Sequence, residues 1–320
     1  MQSFVKEFKS LAYVFSRAEH VLLFAHSRPD PDTVGANMAL YSYLTENLKK
    51  KVDIACWNEY PESLQEILPG TFLHPDTLDY SSYDVVVAAD SVDRGFHLIR
   101  ERFDENQVVI LLDHHPDIDL QGDIVLIDPT YSSTCEIVYL FLEHQKVNLT
   151  RKLATPLLTG ILFDTGGFQH ASVSPQIMHI ASELMRAGAP LGKISKILFT
   201  QKNLPAMRLW GRAFDKVKYV EKEKMLVTAI TQTDIAECGA LADDIYELAS
   251  VLCTVPNIRY ALVLSEREPG LIRANLRSMK HAGVDVSALA HQFGGGGHTL
   301  ASGFELPGTL VETTDSYAIV

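Results

Sequence analysis

The sequence predicts an α/β protein with an N-terminal domain whose mainly parallel sheet is flanked by helices, followed by a smaller C-terminal α/β domain with a mixed sheet. Three observations carry this. At 320 residues the chain exceeds the usual size of a single core, so two domains are expected. In the first half, uninterrupted apolar runs alternate with helical stretches, the pattern of strands buried on both faces of a parallel sheet. Several of those runs end in Asp or His, and parallel strands deliver polar residues to a ligand site at their carboxyl ends.

In order, Ser3 to Ala18 reads as an amphipathic helix and Val21 to Ala25 as a strand. That strand runs into His26-Ser27-Arg28-Pro29-Asp30-Pro31-Asp32-Thr33-Val34-Gly35, the pattern H-x-x-x-D-x-D-x-x-G. Two prolines argue against a helix before Asp32, so Asp30 and Asp32 are expected on extended or turning backbone, pointing into one cleft with His26. A plainer account makes Asp32 the N-cap of a helix from Thr33 to Lys50, which explains one acid but not the other or the histidine. A strand Val52 to Cys56 and a short helix from Pro61 to Leu68 follow. Next come Val85 to Ala89, ending in Asp90 with Arg94 one helical turn beyond, and Val108 to Leu112, ending in Asp113-His114-His115. Further on lie a strand Ile124 to Ile127 and helices Ser133 to His144 and Arg151 to Phe163. The last helix is stopped by Gly166-Gly167 and leaves Asp164 at its C-terminus, where an acid opposes the helix dipole unless a cation compensates it.

The expected domains are residues 1–190, a helical linker over 191–212, and residues 213–320. In the second domain the reading is strands Met225 to Thr231, Arg259 to Ser265 and Leu271 to Arg277, with helices Ala242 to Leu252 and Val286 to Phe293. Arg277-Ser278 closes a strand, and Phe293-Gly294-Gly295-Gly296-Gly297-His298 leads into Thr299-Leu300-Ala301-Ser302-Gly303. Four glycines allow close backbone approach, and their N–H groups are expected to form an anion-binding concavity beside His298.

Acids outnumber bases 40 to 28, giving a net charge of −12, which argues against a protein that grips long nucleic acid. The ligand is either not a polyanion or a short one met by metal ions and a few arginines. The four cysteines are scattered, without a C-x-x-C pair, as for core thiols of a reducing compartment; no apolar run approaches the ~20 residues of a membrane span, and a cytoplasmic location is expected.

His26, Asp30, Asp32, Asp90, His114 and Asp164, with Asp113 and His115 beside them, form a set of carboxylates and imidazoles without thiolate. Such donors suit Mn²⁺, Mg²⁺, Fe²⁺ or Co²⁺ better than a structural zinc. Six ligands fit two ions with one bridging acid, the arrangement that serves phosphoryl hydrolysis.

These motifs, in this order, resemble the four signature motifs of the DHH phosphoesterase superfamily, and G-G-G-H-x-x-A-x-G resembles its DHH-associated C-terminal domain. Pro31 departs from the glycine that many relatives carry there. The resemblance implies that His26, Asp30 and Asp90 hold one ion and that Asp32, Asp90, His114 and Asp164 hold the second, manganese in both, with Asp90 as bridge. It implies that His115 faces the scissile phosphate and Asp113 orients the site, the two catalytic candidates. Arg277, Ser278, Gly295, Gly296, Gly297 and His298 would bind the substrate's phosphate, and Arg94 is placed with them.

Within the superfamily the chain looks most like the nano-RNase and phosphoadenosine-phosphate phosphatase group. The expected activity is hydrolysis of short oligoribonucleotides, of 3′-phosphoadenosine-5′-phosphate, or both, through a water activated by two metals. The alternatives are a phosphodiesterase of cyclic dinucleotides or their linear products and an inactive nucleotide-binding regulator. The expected partner is short single-stranded RNA or a small nucleotide, with neither long duplex nucleic acid nor a membrane; a homodimer is left open.

Overall fold

A computed structural model describes residues 4–116, 118, 120–170, 172–200, 203–245 and 247–320. It divides into two compact units, Met1–Thr200 and Gln201–Val320.

The first unit runs α1 (Val5–Arg17), β1 (His20–Phe24), α2 (Pro31–Ser42), β2 (Lys51–Ala55), β3 (Val85–Ala89), β4 (Val108–Asp113), β5 (Ile124–Ile127), α3 (Thr134–His144), α4 (Arg151–Asp164), α5 (Pro175–Arg186) and α6 (Leu191–Ser195). All strand pairings in its five-stranded sheet, ordered β2-β1-β3-β4-β5, are parallel. Alternate strand residues face opposite cores. Val21, Leu23, Val85, Val87, Ile110 and Leu112 join the core built with α1 to α5, whereas Leu22, Phe24, Val86, Ala88, Val109 and Leu111 join Phe96, Ile99 and Phe103. Burial on both faces explains the unbroken apolar runs.

Two local departures from the sequence reading concern the start of α2. The helix begins at Pro31, and Asp30, not Asp32, is its N-cap. Proline costs nothing at the first helical position, because its missing N–H would have no intrahelical partner there. The expected helix from Pro61 to Leu68 is reduced to a 3₁₀ turn at Glu62–Leu64.

The second unit contains α7 (Leu204–Asp215), β6 (Lys218–Val220), β7 (Met225–Ile230), α8 (Gln232–Cys238), α9 (Leu248–Leu252), β8 (Tyr260–Glu268), β9 (Leu271–Ser278), α10 (Val286–His291), β10 (Gly296–His298), β11 (Ala301–Pro307), β12 (Leu310–Glu312) and β13 (Tyr317–Ile319). Its six-stranded sheet, ordered β10-β11-β9-β8-β7-β6, is mixed: β7 and β8 run parallel and the other neighbours antiparallel. Leu209 and Ala213 of α7 are buried in this unit's core, so the second half of the expected linker is packed structure. The helix expected over Ala242 to Leu252 is a 3₁₀ turn, Ala242–Ile245, and then α9, with residue 246 outside the described residues.

Candidate metal centre

β1 lies between β2 and β3, so strand order reverses beside it, and ligands of open parallel sheets bind beyond such a reversal. His26 follows β1, Asp90 follows β3 and Asp113 ends β4.

Asp30 caps α2 with one oxygen: Oδ1 accepts from the amides of Asp32 and Thr33 at 3.0 and 3.1 Å. Its Oδ2 faces His26 Nε2 at 3.2 Å. His26 Nδ1 lies 2.7 Å from the Ser27 carbonyl oxygen, which can only accept, so Nδ1 carries the proton and Nε2 of the neutral ring carries a lone pair. That buried Nε2 has no hydrogen-bond partner among the described residues. It points at Asp30 and, at 3.5 Å, at Asp90 Oδ2.

Asp90 is buried and left-handed, at φ +57°. Non-glycine residues adopt that conformation sparingly, and such strain clusters at functional sites. Its amide donates to the Leu112 carbonyl at 2.9 Å, and the preceding carbonyl, of Ala89, accepts from Thr33 Oγ1 at 3.1 Å and Asn37 Nδ2 at 3.3 Å. The turn is thereby held open toward His26, His114 and His115.

At the end of β4, Asp113 Oδ1 accepts from the His115 amide at 3.0 Å and meets His115 Nδ1 at 2.8 Å, while Oδ2 accepts from the Val92 amide at 3.3 Å. His114 Nε2 lies 3.0 Å from Asp164 Oδ2 and 3.9 Å from both Asp32 Oδ2 and Asp90 Oδ1. Asp32 is reached by the first amides of α3: Thr134 N donates to its Oδ2 at 2.7 Å and Cys135 N to its Oδ1 at 3.0 Å. Asp164, the last residue of α4, is brought there by a close helix crossing. A Cβ on Gly160 would sit 2.6 Å from Asp32 Oδ1, and one on Gly35 would sit 2.4 Å from the Pro156 carbonyl oxygen.

The atoms that could bind metal form groups within 4.8 Å of one another: His26, Asp30 and Asp90; Asp32, His114 and Asp164; and Asp90, Asp113 and His115. Arg94 lines this cluster, its guanidinium 3.4 Å from Asp90, 3.9 Å from Asp30 and 3.1 Å from His115 Nε2.

The protonation pattern shows where a cation fits. Burial, then the carboxylates of Asp164 and Asp90, push the Asp32 pKa well above the usual range; burial, then Asp30 and Asp90, do the same to Asp164. Burial acts the same way on Asp30, but His26 and Arg94 outweigh it and hold its pKa below the ordinary value. Asp113, where burial is outweighed by His115 and His114, is held down to about 2. A cation among Asp32, Asp90 and Asp164 removes the mutual repulsion, and one beside His26 accepts the lone pair that otherwise faces carboxylate oxygens. The residues present therefore fit divalent metal.

For His115, burial is outweighed by Asp113 and Asp90, which push its pKa up to about 10. Its contact with Arg94 requires the opposite, a neutral ring whose Nδ1–H points at Asp113 and whose Nε2 accepts from the guanidinium. The upward pull comes from carboxylates that a bound cation would neutralise.

In the second unit, antiparallel register sets Arg277, Ala301 and His298 abreast on β9, β11 and β10. Directly paired residues share a face, so Arg277 and His298 flank the small Ala301 on one side of the sheet. Ser278, the next residue, alternates to the other face, and its buried hydroxyl donates to the Arg259 carbonyl at 2.9 Å. The glycine run is partly committed to packing. The amides of Gly294 and Gly295 donate to carbonyls of His291 and Ala290 in α10, and a Cβ on Gly295 would meet the Gly303 carbonyl oxygen at 2.2 Å. Gly296 and Gly297 lie in β10, so the expected concavity is narrower than four open amides would make it.

Residues 20–161 match the family described as "DHH family, N-terminal domain". Every proposed metal ligand except Asp164 lies within that match. The chain is 29% identical over 292 residues to the Thermus thermophilus protein named "Bifunctional oligoribonuclease and PAP phosphatase NrnA", a match covering 90% of this chain and 84% of that one. A Bacillus subtilis protein of the same name is 28% identical over 299 residues, covering 92% and 91%. The fold is that of an exopolyphosphatase-related protein from Bacteroides fragilis, with a TM-score of 0.86 at 24% identity over 95% of this chain and 92% of that one.

Sequence reasoning missed Thr33, Asn37, Thr134 and Cys135, which position the ligands without belonging to the motifs. Thr33 and Asn37 left a faint signal, as polar residues one turn apart in an otherwise small and apolar helix. No helix among the described residues is long and apolar enough to cross a membrane.

Proposed function

We propose that this protein is a phosphoesterase that uses two divalent metal ions, manganese in the first instance, to hydrolyse short oligoribonucleotides and 3′-phosphoadenosine-5′-phosphate. The observation that carries the reading is the convergence of two ligand groups on one strained carboxylate, Asp90, in a chain aligned along nearly its whole length with two proteins named for both activities. His26, Asp30 and Asp90 would hold one ion and Asp32, Asp90, His114 and Asp164 the other. Ions so held supply a nucleophile at neutral pH and neutralise charge on the phosphoryl group.

The chain's own residues do the rest. Asp113, fixed by two amides, keeps the Nδ1 proton of His115 oriented and turns Nε2 toward Arg94. Arg94 is half-buried, so its guanidinium is both held by acids and open to a phosphoryl oxygen. A proton taken up at His115 Nε2 breaks the Arg94 contact and gives the site a second donor. In the second unit Arg277 and His298, on either side of Ala301, would bind a phosphate of the substrate. Ser278, expected among the phosphate-binding residues, has its hydroxyl on the Arg259 carbonyl and its amide on the Leu300 carbonyl, which leaves that role to Arg277.

The test is a panel of dinucleotides, 3′-phosphoadenosine-5′-phosphate and cyclic dinucleotides, incubated with chelator-treated protein with and without manganese and resolved by chromatography. Manganese-dependent cleavage of the first two is expected. Turnover of cyclic dinucleotides alone, or cleavage unaffected by chelation, overturns the reading.

A further inference from the structure

Thr134 touches two of the carboxylates at once. It is fully buried at the first position of α3, capped by the Ser133 hydroxyl, which accepts from the Glu136 amide at 3.1 Å. Its amide donates to Asp32 Oδ2 at 2.7 Å, and its hydroxyl lies 3.3 Å from Asp90 Oδ1. The hydroxyl is the donor in that contact, because an ionised carboxylate can only accept. Asp32, in the first turn of α2, and Asp90, just after β3, are 58 residues apart by their numbers, and both face His114 Nε2 at 3.9 Å. One residue of a third element therefore ties together the two acids that flank His114.

We infer that Thr134 is a positioning residue of the metal centre: its hydroxyl fixes the rotation of the Asp90 carboxylate relative to Asp32, and so decides which Asp90 oxygen faces each ion. The inference rests on the reading of these carboxylates as metal ligands. Asp90 has a buried side chain and a strained backbone, and its Oδ2 is turned to His26 while Oδ1 is turned to His114. A bridging carboxylate needs that division. The neighbouring amide donors on Asp32 leave each of its oxygens with lone-pair capacity directed elsewhere. On Asp90 Oδ1 the Thr134 hydroxyl, at 3.3 Å, is the comparable buried restraint beside the half-buried Arg94 at 3.4 Å, and outer-shell partners of this kind govern metal affinity.

The experiment compares wild type, Thr134→Val and Thr134→Ser in the full chain. Valine keeps the amide, the volume and the branching while removing the hydroxyl; serine keeps the hydroxyl. Manganese binding to chelator-treated protein is read by calorimetry, with thermal unfolding in chelator as a separate measure of the fold. Thr134→Val should bind manganese roughly 10- to 100-fold more weakly, with metal-free unfolding close to wild type, and Thr134→Ser should restore the affinity. Unchanged manganese affinity in Thr134→Val overturns the inference and leaves the metal reading standing. A loss that serine does not restore, or one matched by lower stability of the metal-free protein, assigns Thr134 to packing and also overturns it. Wild-type protein that takes up no manganese overturns the metal reading itself, and this inference with it.

Discussion

His26 Nε2 and Asp90 Oδ2 face each other across 3.5 Å, while the other nitrogen of His26 is committed to the Ser27 carbonyl. With the ring neutral, these are two buried acceptors, and such a pair needs a cation between them.

Removal of divalent metal should therefore abolish hydrolysis, and manganese should restore it. Asp90→Asn is the sharper test, since asparagine tolerates φ +57° and keeps the side chain's size. Loss of a bridging ligand should cost more than loss of an outer-shell partner, so activity should fall by at least about 10²-fold and the metal content by elemental analysis should drop below wild type. A variant that retains two ions per chain ends the assignment of Asp90 as bridge.

Gly160→Ala inverts a common rule. Alanine in a helix interior usually stabilises by about 1 kcal/mol relative to glycine, yet here the added carbon would lie 2.4 Å from Cys135 Sγ and 2.6 Å from Asp32 Oδ1. Overpacking should outweigh propensity, destabilising the protein by about 1–3 kcal/mol and displacing Asp32. Urea unfolding measures the first effect and manganese calorimetry the second. Equal or greater stability with intact metal binding would show that α2 and α4 do not pack this closely.

Chemistry and substrate choice are assigned to different units, and substitutions should separate them. Arg277→Ala should reduce turnover of a dinucleotide or of 3′-phosphoadenosine-5′-phosphate by roughly 10²-fold while sparing a small activated phosphodiester that has no second phosphate. His115→Ala should impair both substrates, because its ring lies within reach of Asp90 and Arg94. Steady-state kinetics on the two substrates decides the matter: equal losses for Arg277→Ala would place that arginine in the chemistry or the fold.

Asp234 makes a pH-dependent contribution to the second unit. Burial raises its pKa, but Lys216 at 2.5 Å and the amide and hydroxyl of Thr231 at 2.9 and 2.8 Å outweigh burial, so the folded pKa lies below the unfolded one. A depressed carboxylate stabilises the fold above its unfolded pKa, near 3.9, and that stability is lost as the pH falls through the folded value. Asp234→Asn should cost about 1–3 kcal/mol at pH 7, with the gap to wild type closing below about pH 4. Chemical denaturation at several pH values tests this, and a gap that widens on acidification would refute it.

Much of this protein was legible from local sequence. The apolar runs marked β1, β3 and β4 because strands buried on both faces have no polar side to interrupt them. The acids and histidines at their ends were legible because a strand's last residue is where ligands meet a parallel sheet. The same local logic, pressed one step further, would have separated Arg277 from Ser278, since neighbours on a strand point to opposite faces. Other features depended on distance. Nothing near Asp32 indicates that the start of α3, 102 residues later, supplies the amides that hold its carboxylate, or that the hydroxyl of Thr134 reaches Asp90. Gly160 reads as a weak point in a helix until α2 is packed across it. Side-chain periodicity and backbone propensity are properties of a few consecutive residues, so sequence alone determined the elements and the donors at their ends. Which ends meet, and how each carboxylate is turned, is decided by long-range packing, because it depends on the volumes and hydrogen-bond partners that only the assembled helices and sheet bring together.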